Sequence, residues 1–333
     1  MNLLYLSCHS VLEYDEIKLF SELGIDVFSD GVYHNPQKID DPKRPILEAK
    51  YHPELEVKLT KTEEKIQSPE AIAWADVIMV MHRGDYLQSN WANFKGKRVI
   101  WRSIGQSSLN VENILRPMRA EGLEIVRYSP REQTIPGFVG EDAMIRFYKD
   151  PSEFKGWTGT TKQVLTVGQD MKYRKDFCNF DIFEETTREW PRKLLGTHKD
   201  HEDPMCVGRV DYEALKKAYR ESRAYFYTGT YPASYTLNFI EAWMTGTPVV
   251  ALGKRLGNSP FELGQNTYEV PDFLDETAGG LYADSVEDLR NHVKILMEDP
   301  AFAAKISEKG RQGAIKYFGK AKIKEEWRKF LNV

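Results

Sequence analysis

The 333-residue chain has 41% hydrophobic and 29% charged residues and a formal net charge of -4, the composition of a globular protein and not of a disordered or fibrous one. That balance offers no overall attraction to nucleic acid or to an anionic membrane. Three cysteines, Cys8, Cys178 and Cys206, are too few and too scattered for a disulfide framework or a Cys-x-x-Cys metal site, which points to a reducing compartment and a cytoplasmic location.

The opening MNLLYLSCHS lacks the basic flank and long apolar run of a signal peptide, and no apolar run approaches the roughly 20 residues that span a bilayer. Peripheral contact is the form of membrane association this leaves. The length exceeds one ordinary domain, and two units of about 150–170 residues are expected.

The elements alternate from the start. NLLYLSC (2–8) reads as a buried strand, YDEIKLFSELG (14–24) as an amphipathic helix closed by glycine, and IDVFSDG (25–31) as a second strand. SPEAIAWA (68–75) is a capped helix. DVIMVMH (76–82), KRVIWRS (97–103) and LEIVRYS (123–129) are further strands, so a parallel sheet with covering helices follows. Between 131 and 161 the periodicity is lost amid scattered glycines and prolines, which marks the domain boundary.

A second α/β unit then begins with the strands QVLTVGQ (163–169) and RKLLGT (192–197) and the helix YEALKKAYRES (212–222). SRAYFYTG (222–229) and GTPVVAL (246–252) are strands that flank a short helix. Residues 286–318 form two helices broken near Asp299-Pro300, and KAKIKEEWRKFL (320–331) is a basic amphipathic helix.

The helix between 236 and 244 carries the strongest functional signal. Thr236 stands at its cap position, and Leu237, Ile240 and Met244 form an apolar stripe in which Glu241 takes the i+4 place. Phe239, Ala242 and Trp243 make the other faces apolar, so the carboxylate is buried. Burial of an unpaired carboxylate costs several kcal/mol, whereas each hydrogen bond to a charged group returns roughly 1.5–3 kcal/mol. Two hydroxyls of a ribose would offset it, and so would a partner inside the core. The flanking strands put this helix beside the carboxyl edge of a parallel sheet, where ligands of open α/β folds bind.

Four ordered motifs extend this signal. They are VGQDMKYRK (167–175), MCVGRVDYEALKKAYRES (205–222), YPASYTLNFIEAWMTGTPVVAL (231–252) and ETAGGLYADSVEDLRNHVKILMEDP (276–300). Together they resemble the donor-binding domain of the retaining GT-B glycosyltransferases, the group of glycogen synthases and bacterial mannosyltransferases. The resemblance implies an α/β protein of two Rossmann-like doubly wound domains facing a central cleft. Residues 1–155 would bind the acceptor, 156–318 the nucleotide-sugar donor, and 319–333 would return to the first domain as a helix.

Carried over residue by residue, the resemblance makes Glu241 the ribose ligand and gives the amides of Tyr235, Thr236 and Leu237 to the diphosphate. Gly208 and Arg209 would lie at the nucleobase, and Lys175 with Arg174 would neutralise the leaving phosphate. The family's first signature Glu is Ala233 here, and its usual Arg after the first strand's glycine is Gln169, which lines the donor site with one cation fewer. His82, at the end of a strand in the first half, would meet the reacting sugar. In WRSIGQS, Arg102, Ser103 and Gln106 stand where the family often has its catalytic-site His, and Cys8, His9 and Ser10 replace its Gly-rich first loop.

The implied activity is retaining transfer of a sugar from a UDP- or GDP-linked donor to a hydroxyl of a glycan or small molecule. No prosthetic group is needed, and no metal site is expected, since THKDHED (197–203) reads as a solvated loop. One alternative is a DNA-modifying enzyme acting on a hydroxylated base, with KYRK, LRPMR, VRYSPRE and KAKIKEEWRK as its basic runs. The others are an inactive sugar-nucleotide-binding module and an epimerase or phosphorylase of the same architecture.

Overall fold

The computed structural model describes residues 1–29, 67–196, 203–258 and 265–333, together with positions 31, 44, 45, 47, 52 and 55. Among these residues the expected strands, joined by further short ones, assemble into two six-stranded sheets. The first contains β1 (Asn2–Leu6), β2 (Asp26–Ser29), β3 (Val77–Met81), β4 (Arg98–Arg102), β5 (Glu124–Arg127) and β6 (Ala143–Met144) in the order β2-β1-β3-β4-β5-β6. The second contains β7 (Thr161–Val167), β8 (Arg192–Leu195), β9 (Cys206–Gly208), β10 (Ser222–Tyr227), β11 (Val249–Leu252) and β12 (Leu281–Ala283) in the order β12-β11-β10-β7-β8-β9.

Every pairing is parallel, with Leu3 opposite Val77 and Ile78 opposite Val99 in the first sheet and Tyr225 opposite Val249 in the second. Parallel strands need crossovers, and crossover helices cover the sheet faces, which is why VIMVM of β3 and VVAL of β11 are apolar and buried throughout. The strand order of each sheet also reverses once. β1 pairs with both β2 and β3, and β7 pairs with both β8 and β10. The loops after β1 and β3, and those after β7 and β10, therefore flank topological switch points, where backbone diverges and leaves room for a ligand.

The helices depart from the expected pattern in instructive ways. The first runs over Ser10–Glu22, four residues earlier than its apolar periodicity begins, because His9 caps it and accepts the Leu12 amide at 3.2 Å. Ser68 caps Pro69–Trp74 as its sequence requires. Gly84–Asn90, Leu109–Ala120 and Val270–Thr277 escape the sequence reading, since they are short or, like Leu109–Ala120 with Pro117, carry a helix breaker inside. The stretch 131–161 is not structureless. It holds β6, and Asp142 accepts the Ile125 amide at 2.7 Å to pin it to β5.

The chain divides into two compact units, Met1–Phe147 with Ile323–Val333, and Tyr148–Lys322. The chain joins the second unit early because Lys149 pairs with Gly319 and donates its amide to Phe318 at 3.0 Å. The helix Lys320–Leu331 supplies Ile323, Trp327 and Leu331 to the core of the first unit. There Trp327 stands edge-on to Phe20 with ring centroids 5.1 Å apart.

Candidate active site

At the second sheet's switch point, backbone replaces side chains. Gly168, Gly196 and Gly208 end β7, β8 and β9 side by side, the Gly168 amide donating to Leu195 at 2.9 Å and the Gly196 amide to Gly208 at 3.2 Å. Gly196 and Gly208 are left-handed, with φ of 82° and 83°, and a Cβ on Gly168 would collide with the Met171 sulfur at 2.3 Å. The result is a floor on which a ligand can approach main chain closely. Beyond it Asp170, at φ 51°, turns the chain so that the Tyr173 and Arg174 amides close on its carbonyl at 3.0 and 2.9 Å. Gln169 donates to the Asp170 carboxylate at 3.0 Å. Arg174 and Lys175, exposed at the head of the short helix Lys175–Cys178, come off this turn.

The other wall of the switch point is the helix Leu237–Thr245. Thr236 occupies the cap position, but its hydroxyl bonds to Tyr227 and Asn238, and no side-chain cap is made among the described residues. The expected Thr236 cap is thus corrected. The first-turn amides are left for another acceptor, at the positive end of the helix dipole. Asn238 donates to the Val167 carbonyl and ties this helix to the end of β7. The Tyr235 ring packs into the core on Phe318 and Phe273, with centroids 5.1 and 5.6 Å away, so only its backbone faces the edge. Preceding it, the loop 228–236 is held by Asn179 on the Thr228 carbonyl, Tyr231 on the Leu256 carbonyl and Thr267 on the Pro232 carbonyl.

Glu241 lies half-way along the same helix and is 2% exposed. Its carboxylate forms an ion pair with Lys149 at 2.7 Å and accepts the Tyr219 hydroxyl at 3.3 Å. Of the two compensations its burial allows, the structure contains the internal one. Lys149, 2% exposed, lies 92 positions away, by subtraction of the two residue numbers, and no local pattern links the two. A carboxylate has two oxygens with about four acceptor sites between them, so an internal partner and a ligand hydroxyl can share one.

At the first sheet's edge, His82 follows β3 in a left-handed conformation, φ 47°, with its amide on the Arg102 carbonyl at 3.1 Å. Its ring lies 5.4 Å from that of Trp101. Burial holds the imidazole down at about 4 from an ordinary 6.5, with a nearby Arg127 charge adding to this and a Gln106 backbone bond opposing it. His82 is therefore neutral near pH 7. Its Nδ1 is buried and finds no partner among the described residues.

The neighbouring WRSIGQS turn contributes differently than its residue types suggest. Arg102 is wholly buried and paired with Glu16 at 2.9 Å, and Ser103 is wholly buried with its hydroxyl on Glu132 at 2.7 Å. Gln106 is the exposed one of the three. Cys8 and His9 are exposed, with His9 spent on its cap.

Two of the basic runs are engaged in bonds within the fold, one buried and one at the surface. In VRYSPRE, Arg127 is wholly buried and forks onto Glu112 at 2.7 and 2.8 Å, and in LRPMR, Arg116 donates to the Gly137 carbonyl at 2.7 Å while Arg119 pairs with Asp142. In the C-terminal helix, Lys320, Lys324 and Arg328 pair with Asp150, Glu22 and Glu325. An arginine on a fully covered parallel strand demands a buried acid, and that demand was the available sign of the Arg127–Glu112 pair. Of THKDHED, residues 197–202 lie outside the described residues. No group of three or more His, Cys, Asp or Glu able to hold a metal occurs among the described residues. No described helix is long and apolar enough to cross a membrane.

Residues 169–326 match the model of a family described as glycosyl transferase-like. A search of curated proteins finds no match to this sequence. Among solved structures, the chain resembles sucrose-phosphate synthase from Thermosynechococcus elongatus at 14% identity and a TM-score of 0.67, covering 100% of this chain and 98% of that one. It resembles Anabaena HepE, solved with UDP and glucose, at 12% identity and a TM-score of 0.68 over 100% and 99% of the two chains. A third relative is an alpha-glucosyltransferase solved with UDP-glucose and abasic DNA, 12% identical with a TM-score of 0.60 over 100% and 99%. The family match spans the stretch that holds the glycine floor and the uncapped helix, and the whole chain shares with these structures the GT-B fold of two Rossmann-like domains.

Proposed function

We propose that the chain transfers a sugar from a UDP-linked donor to a neutral hydroxyl of a glycan or small molecule, with retention at the anomeric carbon. The observation that carries this reading is the second sheet's switch point, where the glycine floor and the uncapped amides of Leu237–Thr245 meet beside Arg174 and Lys175. Cleavage of a sugar–diphosphate bond develops charge on the β-phosphate, and preorganised amides and cations are what stabilise it. Helix amides from 235–237 and the two cations supply that stabilisation, Gln169 adds a neutral donor, and Gly208 at the end of β9 with Arg209 after it flank the nucleobase. UDP is favoured over GDP because HepE was solved with UDP and with UDP-glucose. His82, neutral and with an Nδ1 that finds no partner among the described residues, offers an acceptor to a hydroxyl of the substrate held by the first unit. Glu241 serves the ribose in this reading through its carboxylate oxygens, with Lys149 kept in place.

The test is a thermal-shift panel of UDP, GDP and their glucose conjugates, followed by NMR of the product anomer. A nucleotide at about 100 times its Kd adds roughly 2.7 kcal/mol of stability, and UDP is expected to give the larger shift. An inverted product, or no shift with either nucleotide, rejects the reading. Lys175→Ala should reduce turnover about 10- to 100-fold while UMP affinity changes less than about twofold. Turnover abolished by EDTA and restored by manganese would assign the phosphate charge to a metal instead.

A second acceptor class has one supporting observation. The segment 172–175 keeps its lysines and arginine exposed around Tyr173, which is 79% exposed, and a structural relative was solved with DNA. Transfer to hydroxymethylated duplex DNA in preference to glycans would establish that acceptor. UDP binding without hydrolysis or transfer would mark a binding module.

A further inference from the structure

The first unit carries a buried carboxylate that the donor chemistry does not use. Glu132 is 1% exposed and sits beneath the turn 103–107 that follows β4. One oxygen accepts the Ser103 hydroxyl at 2.7 Å and the Tyr128 amide at 3.0 Å, and the other accepts the Ser107 hydroxyl at 2.7 Å. Arg127 stands 3.8 Å from that second oxygen and is itself held by Glu112. Both ends of one five-residue turn are thus tied to a single side chain. Between them the Gln106 amide closes on the Ile104 carbonyl at 2.7 Å.

What this turn faces gives the arrangement its meaning. Gln106 presents its backbone to the His82 imidazole, and the His82 amide bonds to the carbonyl of Arg102, the residue that precedes the turn. A ring that donates through Nε2 to a carbonyl keeps Nδ1 as an acceptor, since neutral imidazole has one of each. That Nδ1 is the buried nitrogen without a partner among the described residues, and it lies at the switch point of the first sheet. A serine pair is needed at 103 and 107 because hydroxyls are short donors that reach a shared carboxylate without filling the edge.

We propose that Glu132 is a positioning residue for sugar transfer: by binding Ser103 and Ser107 to one carboxylate it sets the turn whose Gln106 carbonyl orients His82, keeping Nδ1 free to accept a hydroxyl of the substrate held by the first unit. This rests on the reading of His82 given above. Glu132 touches neither substrate nor reacting atoms; it acts through the turn.

The experiment compares the parent with Glu132→Gln, His82→Ala and the double variant, using UDP-glucose hydrolysis as the probe. Glu132→Gln is expected to lower turnover about 10- to 100-fold, the range for sub-ångström to ångström misplacement, while UDP affinity stays within about twofold. The double variant should be no slower than His82→Ala, because both substitutions remove the same interaction. Ring nitrogen NMR should show a single Nε2-protonated His82 tautomer in the parent and a mixture in Glu132→Gln, with faster amide exchange confined to 103–107. Losses that multiply in the double variant, or an unchanged tautomer, overturn the proposal. Should Glu132→Gln not fold, Ser103→Ala with Ser107→Ala removes the same ties and is held to the same outcomes. If the parent neither binds UDP nor cleaves UDP-glucose, the function reading has failed, and the tautomer and exchange measurements still decide the role of Glu132.

Discussion

At the scale of single residues, two buried ionisable groups govern what substitution will do. Replacing Glu241 with Ala leaves the Lys149 ammonium buried without its carboxylate, and breaking such a pair costs about 3–5 kcal/mol. A carboxylate awaiting only a ligand, one of the two compensations the sequence left open, would give a variant that loses nucleotide and keeps its stability. With the pair in view, Glu241→Ala is expected to lower the urea midpoint markedly, and Glu241→Leu combined with Lys149→Met to recover much of the loss. Equal stability of Glu241→Ala and the parent would mean that the pair contributes nothing to the fold. His82 gives a pH dependence of definite sign. Its imidazole is held at about 4 in the fold against 6.5 ordinarily, so the unfolded chain takes up this proton first. The contribution is complete above about pH 6.5 and is lost as pH falls toward 4, by about 2–3 kcal/mol. Urea unfolding of the parent and His82→Gln at about pH 7 and about pH 4.5, on either side of that ordinary value, measures it, and identical pH slopes would refute it.

At the scale of elements, helix ends are where local sequence decides stability. Asp299 caps Pro300–Phe318 by accepting the Phe302 amide at 2.9 Å, and proline at the first helical position removes a donor that would have gone unpaired. Asp299→Ala should cost about 1 kcal/mol in thermal unfolding. Gly246 ends Leu237–Thr245 at φ 91°, and a Cβ there would meet the Ser307 hydroxyl at 2.9 Å. Gly246→Ala therefore combines left-handed strain with a clash and should cost about 1–2 kcal/mol. Because this helix carries the proposed phosphate amides, the same variant is expected to weaken UDP binding. The Asp299 variant should leave that binding unchanged.

At the scale of the whole molecule, the first unit is completed by residues from the far end of the chain. Trp327 is wholly buried against Phe20, and Arg98 donates to the Phe330 carbonyl at 2.9 Å. Trp327→Ala should destabilise by about 3–5 kcal/mol. Ending the chain at Lys322 should loosen the first unit more than the second, seen as faster amide exchange across residues 1–147 than across 148–322. Uniform exchange in the two units would contradict this.

The sequence by itself determined what depends on short-range regularity. The alternation of apolar runs and capped helices dictated two parallel α/β units, and the ordered motifs from Val167 to Pro300 carried the family. The helix around Glu241 was legible as buried because all its faces are apolar. Tertiary structure decided what depends on partners far apart in sequence. Lys149 for Glu241, Glu112 for Arg127, and Ser103 and Ser107 for Glu132 come from different strands and loops, and the electrostatic requirement that a buried charge be paired states that a partner exists without saying which. The basic runs show the same limit. Arg127 and Lys175 are both single cations in short basic stretches, yet Arg127 is sealed in the core while Lys175 stands exposed, because charge is a property of the residue and burial a property of the fold.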